Sequence, residues 1–398
     1  MSETVITRSI PRTVWALGFV SLFMDLSSEM VHALLPVFLV GTLGVSMITL
    51  GLIEGIAEAT ALIVKVFSGA ISDYFGKRKS LLLLGYGLAA LTKPLFPLAH
   101  SAEMVFTARF LDRIGKGIRG APRDALVADV SPPEIRGACF GLRQSMDTVG
   151  AFLGPAVAIG LMYIFSENIP LVLWIAVIPA LVAVSLIFVG VDEPEREQRA
   201  QHFHSPIRLQ LLYSFSPAYW WVVIVGALFT LARFSEAFLV LRGQQAGLSA
   251  TWVPIVMVVM ALFYTLSAYP VGKLSDRVSR KALLGVGLIL LILSDLVLAN
   301  AASITMLMLG VTLWGLHMGF SQGLLAALVA DTTPAGLKGT AFGVFNLVSG
   351  VSMLLASAVA GLLWQTYGSA MTFYAGAAFS AVAFILLLTR RQRDDHLK

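Results

Sequence analysis

A single cysteine, Cys139, occurs in 398 residues, so no disulfide can form within the chain, and the residue is read as packing. Charge is scarce as well. Only 13% of residues are Asp, Glu, Lys or Arg, about half the share of an ordinary soluble domain, while 57% are hydrophobic and the mean hydropathy is +0.83. That balance excludes a soluble globule and points to an integral, multi-pass membrane protein. Also missing are a phosphate-cradling Gly-Lys-Ser/Thr loop, an HExxH helix and any soluble domain that could hold ATP. The chain therefore reads as no enzyme and as needing no cofactor, with transport energy drawn from an ion gradient. The polar start Met1 to Arg12 lacks the layout of a secretory signal, so the first apolar run is expected to remain in the mature protein.

What is present is a succession of apolar runs of about 20 residues or more, each long enough to span a bilayer as a helix. Twelve spans are expected, at about 13–40, 46–72, 80–100, 103–127, 137–165, 169–190, 217–241, 250–273, 281–301, 303–330, 339–366 and 368–389. Short loops holding Lys77, Arg78, Lys79, Arg136, Lys273, Arg277, Arg280, Lys281 and Lys338 alternate with loops nearly free of Lys and Arg, Arg242 excepted. The positive-inside rule puts the basic loops and both termini in the cytoplasm, in a bacterial cytoplasmic (inner) membrane. Those loops account for the net charge of +5, and no nucleic-acid partner is implied.

The chain is written twice. Gly69-Ala-Ile-Ser-Asp73-Tyr-Phe-Gly76-Lys77-Arg78-Lys79 returns as Gly272-Lys-Leu-Ser-Asp276-Arg277-Val-Ser279-Arg280-Lys281. Ala128-Asp129-Val-Ser-Pro132-Pro-Glu-Ile-Arg136-Gly137 returns at nearly the same offset as Ala330-Asp331-Thr-Thr-Pro334-Ala-Gly-Leu-Lys338-Gly339. Two matches in register imply duplication. The longest polar stretch, 191–210, lies between the copies, which gives an N-terminal six-span bundle (1–190), a cytoplasmic linker (191–215) and a C-terminal six-span bundle (216–398).

These motifs carry a resemblance. Gly69, Asp73, Gly76, Lys77, Arg78 and Lys79 resemble the loop 2-3 signature of the major facilitator superfamily (MFS), with Gly272, Asp276 and Arg280 in its usual second copy, where Ser279 replaces a glycine. Arg109-Phe-Leu-Asp112-Arg113-Ile-Gly115 on span 4 is similar to the family's R-x-x-Q-G-x-G pattern, with Asp112 and Arg113 as departures. Gly141, Gly150, Gly154 and Pro155 on span 5 are spaced as in the motif of proton-coupled exporters, with Ala158 where the last glycine would stand. On span 11 this row has become Gly343, Ser352, Ala356 and Ser357. The resemblance implies an all-α MFS fold of two pseudo-symmetric six-helix bundles, a cavity lined by spans 1, 4, 7 and 10 and their neighbours 2, 5, 8 and 11, and efflux by alternating access.

The residues support a physical reading of their own. Asp73, just past span 2, can accept backbone N–H bonds from a facing helix N-terminus and pair with Arg119 or Arg123, as an inner latch; the competing reading is a loop that only sets topology. The glycines of span 5 permit close helix contact, and Pro155 removes a hydrogen bond.

Charges inside the membrane are costly unless paired or wet, and so mark function. On span 1, Asp25, Glu29 and His32 share one face at i, i+4 and i+7; span 2 carries Glu54, Glu58 and Lys65. Span 4 carries Arg109, Asp112, Arg113, Lys116, Arg119, Arg123 and Asp124, and span 5 Arg143 and Asp147. In the second half Arg233 and Glu236 on span 7 are the main pair, with Asp295 on span 9; Trp314 and His317 stand on span 10 and Asn346 on span 11. Candidate proton-coupling or substrate residues are therefore Asp25, Glu29, His32, Glu58, Arg109, Asp112, Arg113, Lys116, Arg143, Asp147, Arg233, Glu236, Trp314, His317 and Asn346. Asp25 and Glu29, one turn apart, are expected to share one excess proton. With His32 they could instead form a borderline-metal site. Arg119, Arg123 and Asp124, near the inner end of span 4, read as ion pairs that reach the interface or Asp73, and His202 and His204 as a solvated face.

The function expected is a proton-coupled exporter of a small solute. The partners are that solute or ion, protons and the lipid bilayer, and the chain is expected to work as a monomer. Three alternatives stand beside it: export of a divalent metal through Asp25, Glu29 and His32, transport of an organic anion drawn by the span 4 cations, and a non-transporting sensor or interaction protein.

Overall fold

A computed structural model describes residues 9–75, 77–193, 209–275, 277–334 and 337–389, with the side chains of Asp73, Phe75 and residues 209–211 outside that description. Expectations for the Asp73 carboxylate, Gly76, Asp276, His202 and His204 thus fall outside the described residues. Within them every regular element is helical: α1 (Arg12–Val37), α2 (Met47–Phe75), α3 (Arg78–Thr92), α4 (Ala102–Val130), α5 (Arg136–Ile164), α6 (Ile169–Ile175), α7 (Val177–Gly190), α8 (Pro217–Ala232), α9 (Ala237–Gln245), α10 (Ile255–Leu274), α11 (Arg280–Ala299), α12 (Ile304–Gly319), α13 (Gln322–Asp331), α14 (Lys338–Tyr367) and α15 (Ser369–Thr389).

Fifteen helices make twelve spans because three spans are broken. In the sixth, α6 and α7 meet at Ala176: Pro179 has no N–H for the carbonyl four residues back, and its ring crowds that carbonyl. In the tenth, α12 and α13 meet at Ser321, whose hydroxyl donates to the His317 carbonyl at 2.8 Å and competes with the helix ladder. In the seventh, α8 ends at Ala232 and α9 begins at Ala237, with Arg233–Ser235 unwound between them. Ten stretches among the described residues are long and apolar enough to cross a membrane. The other two spans are α3 and the charged α4. Span 3 is shorter than expected: α3 stops at Thr92 and tightens into a 3-10 turn, Lys93–Leu95, that contains Pro94.

The chain forms two compact units, Met1–Leu35 with Thr60–Pro206, and Pro36–Ala59 with Ile207–Lys398. The division falls inside α1 and α2, so the first half of α2 belongs to the second unit. In the first unit the core runs through Val14, Leu17, Val20 and Met24 of α1, Leu82 and Tyr86 of α3, Leu126 of α4, Cys139 of α5 and Ile187 of α7. In the second, Tyr219 and Val223 of α8 pack with Val329 of α13 and Ala341 of α14, and the Tyr219 hydroxyl donates to the Ala341 carbonyl at 2.8 Å. Gly51 and Gly55 of α2 press on the backbone of α14 at Leu354 and Ser357, and Gly361 on Met47, a stripe of small residues that brings two helices into backbone contact.

Candidate functional site

The first unit holds most of the expected site, and small residues on α5 position it. At Gly150 an added Cβ would run into the carbonyl of Leu22; at Gly154 it would lie 2.7 Å from Glu29 Cβ and 2.9 Å from the Leu26 carbonyl. Only glycine lets α5 come this close to α1. Gly141, expected to act with them, has nothing within 4 Å of such a Cβ and makes no close approach. The row is thus a two-glycine contact, and its consequence is chemical: Asp147, one turn before Gly150, is brought up to Asp25 of α1, close enough for the two carboxyls to interact.

The carboxyl partner of Asp25 is therefore Asp147 and not Glu29, whose Oε2 lies 3.2 Å from His32 Nδ1. Around the carboxyl pair, Arg123 of α4 reaches Asp147 at 3.4 Å and donates to the Ser21 hydroxyl at 3.0 Å, and Arg143 lies 3.6 Å from Asp147 and donates to the Gln144 side-chain carbonyl at 2.7 Å. Asp124 completes the network, 3.4 Å from Arg123 and 4.0 Å from Arg143. Arg123 and Asp124 were expected to reach the interface or Asp73. Both are ion-paired here, with Arg123 between Asp124 and Asp147 and reaching Ser21 of α1. Arg119 lies over the Tyr86 ring at 4.5 Å. Lys116 is exposed, while Arg109 and Arg113 are buried.

Asp112 belongs to a second centre. Lys93, almost fully buried, donates to Asp112 Oδ1 at 3.0 Å and to the Ser28 hydroxyl at 3.0 Å. Ser28 and Asp112 lie on α1 and α4, so this ion pair knits three spans. Lys93 was not singled out in the sequence, where it falls inside the expected span 80–100, although a lysine just before a proline in an apolar run is a visible signal.

The metal-site expectation fares differently. Among the described residues no three His, Cys, Asp or Glu side chains come together to hold a metal. Asp25 turns to Asp147, which leaves Glu29 and His32 as a two-ligand pair, short of the set a borderline metal takes.

In the second unit Glu54, fully buried on α2, meets the Ser235 hydroxyl at 3.3 Å in the unwound segment of the seventh span. The Ser235 N–H donates to the Ser357 hydroxyl at 3.2 Å, and that of Ala237 to the Ser235 hydroxyl at 3.2 Å. Arg233 and Glu236 flank the break, half-buried; Glu58 and Asn346 are half-buried on α2 and α14. Trp314 and His317 sit in an aromatic cluster, their rings 5.3 Å apart, with Phe234 5.5 Å from Trp314 and Phe229 6.0 Å from His317.

The repeated motifs are joined to one another in each unit. Arg78 lies 2.6 Å from Asp129, and Arg280 pairs with Asp331; residues 78 and 280, like 129 and 331, stand 202 positions apart. The Arg78 backbone N–H donates to Glu193, and Lys79 donates to the Val191 carbonyl at 2.7 Å. Gly69 faces Ala121, Lys77 is exposed, and an added Cβ at Gly272 would meet open space.

A duplicated bundle with paired charges at its heart is the architecture of a secondary transporter. The Major Facilitator Superfamily model matches residues 17–255 and 237–398, and the chain belongs to that superfamily. An uncharacterized MFS-type transporter of Methanocaldococcus jannaschii is 33% identical over 398 residues, covering 96% of this chain and 95% of the relative. The inner membrane transport protein YajR of Escherichia coli is 24% identical over 418 residues, covering 98% and 86%. Among solved structures, a mutant of the nucleoside transporter NupG superposes with a TM-score of 0.81 at 13% identity, over 95% of this chain and 99% of the other, a likeness of fold.

Proposed function

We propose that this MFS transporter is a proton-coupled exporter of a small solute, in which the Asp25–Asp147 pair carries the proton. One observation carries the reading: Asp25 and Asp147 are brought together where α5 docks on α1 through Gly150 and Gly154, close enough for their carboxyls to interact and to share a proton. Ionised carboxylates only accept, so a hydrogen bond between them needs one proton. Arg123 and Arg143 beside the pair offer the charge that would hold it once the proton leaves. The span 5 glycines, which resemble the exporter motif, create this pairing and tie the motif to a proton. The bundles 1–190 and 216–398, joined by 191–215, would alternate access around the site, in the cytoplasmic (inner) membrane with both termini inside and the chain working as a monomer; the Escherichia coli relative is an inner membrane transport protein, in keeping with that membrane.

The test uses purified protein in proteoliposomes, screened with drug-like compounds, organic acids and divalent metals, with and without a pH gradient. Asp25→Asn and Asp147→Asn should each abolish pH-driven movement and leave exchange at equal pH, since exchange needs no net change in protonation. Full pH-driven transport by both variants overturns the reading. A second substrate reading has an observation of its own: Lys116 is exposed and, with Arg113, exerts its field on Glu29, which suits an organic anion. Loss of anion transport in Lys116→Gln, with no effect on cationic compounds, would select it.

A further inference from the structure

We propose that Asp295 is a proton-binding site of the second unit, separate from the Asp25–Asp147 pair and controlled by the unwound segment of the seventh span. Asp295 lies on the apolar helix α11, wholly buried, and neither of its carboxyl oxygens has a hydrogen-bond partner among the described residues. The room it occupies is made by a glycine. A Cβ added at Gly376 of α15 would lie 2.6 Å from Asp295 Oδ2 and 3.2 Å from the carbonyl of Ala232. The carboxyl is therefore lodged between α15 and the last residue of α8, and the next residue in the chain, Arg233, opens the break.

An ionised carboxylate with no donor and no cation in such surroundings is strongly unfavourable, and the neutral acid far less so. The titratable groups on the elements around it narrow what could replace the proton. On α15, Tyr374 donates its hydroxyl to Asn300 at 2.9 Å; on α8, Tyr219 is bound to the Ala341 carbonyl; on α12, His317 is packed against Trp314 and Phe229. On α11 itself, Arg280 and Lys281 are more than about 20 Å away along the helix. Arg233 alone combines a permanent positive charge with a place at the break: its N–H closes the last turn of α8 on the Thr230 carbonyl, and Phe234 and Ser235 after it are not helical. Loss of the proton to water leaves a carboxylate, and the Arg233 guanidinium is the counter-ion that can reach it if the break rearranges. A discontinuous span beside an ionisable group is where transporters of this general architecture place ion sites. Position 93, 202 residues earlier, holds Lys93, fixed by Asp112 and Ser28; the partner position on span 10 is Trp314, whose indole N–H is buried and has no hydrogen-bond partner among the described residues. One unit fixes its buried charge there, and the other keeps a group that must choose between a proton and a cation.

This inference does not rest on export or on the carboxyl pair, and it is tested without substrate. Infrared difference spectra of the full chain in lipid, with carboxyl-labelled aspartate, report protonated aspartates by their C=O stretch. Asp295→Asn should remove one such band at neutral pH and Asp147→Asn a different one, with each protein melting within about 3 °C of the parent. In Arg233→Gln, where Asp295 is intact, the Asp295 band should persist to a pH higher by at least about one unit, because the opposite charge that favours ionisation is gone. A band pattern unchanged by Asp295→Asn overturns the proposal, as does a titration unmoved in Arg233→Gln. Should Asp295→Asn fail to fold, the Arg233→Gln titration decides alone.

Discussion

The two units use one plan and fill it differently. Both join their repeated motifs with an arginine–aspartate pair at the same offset, Arg78 to Asp129 and Arg280 to Asp331. Above that shared clasp they part. Where α5 carries Arg143, Asp147, Gly150 and Gly154, α14 carries Phe345, Ser349, Ser352 and Ala356 at the same offset, and charges give way to an apolar and hydroxyl face. Where the turn after α3 holds Lys93 bonded to Asp112, α11 carries Asp295, which has no hydrogen-bond partner among the described residues. Duplication preserved the groups that hold the scaffold at its basic loops and left the interior of each unit free to specialise. Networked charge accumulated in the first, while the second kept an aromatic cluster, two broken spans and an acid buried on α11.

The comparison is broken most severely at Lys93. Asp112→Leu leaves the ammonium buried without its counter-ion, and a loss of about 3 to 5 kcal/mol is expected, read as a large fall in the thermal midpoint of the purified protein. Lys93→Met combined with Asp112→Leu removes both charges and should recover most of that loss, making the first unit apolar where the second already holds Trp314. If the double variant is as unstable as the single, the pair is holding geometry that packing cannot replace.

Next in size is the glycine contact that exists on α5 alone. Gly154→Ala drives a methyl into Glu29 and the α1 backbone and should lower stability by about 1 to 3 kcal/mol, with pH-driven transport falling because Asp147 is moved from Asp25. Gly141→Ala meets open space and should stabilise the helix by up to about 1 kcal/mol without harm to transport. Equal effects at the two positions would mean that the row is a general helix feature, not a contact.

Much of the fold was legible because it is carried by repetition and by length. Twelve apolar runs and two motifs in register lead to the bundles without any knowledge of packing. The helix breaks were only partly legible: Pro179 announces the one in the sixth span, but Arg233-Phe234-Ser235 holds neither Gly nor Pro, and its Ser235 donates instead to Ser357 and Glu54, which are remote in sequence. The site was legible as a list and not as a set of pairs. Spacing along α1 suggests Asp25, Glu29 and His32 on one face, yet the neighbour of Asp25 is chosen by the depth to which α5 docks, and that depth is set by Gly150 and Gly154 acting on α1. Gly141 has the same residue type and fits the same spacing, and only the neighbouring helix shows that it touches nothing.

The smallest expected effect concerns the shared clasp. Arg78 is 7% exposed and Asp129 18%, whereas Arg280 and Asp331 are 32% and 54% exposed. The same two residue types at the same offset therefore meet in different dielectrics. A partly buried charged bond is worth about 1.5 to 3 kcal/mol, while an exposed ion pair contributes about 0.2 to 1 kcal/mol and is screened by salt. Arg78→Ala should accordingly lower the thermal midpoint clearly, and by a similar amount at low and high ionic strength, since Asp129 is left poorly hydrated. Arg280→Ala should lower it by a few tenths of a kcal/mol to about 1 kcal/mol, and the difference from the parent should vanish in high salt. Parallel melts of the two variants across a salt series make the measurement. Matching losses with matching salt dependence would show that the clasps remain equivalent in solution, and that specialisation of the units begins only above them.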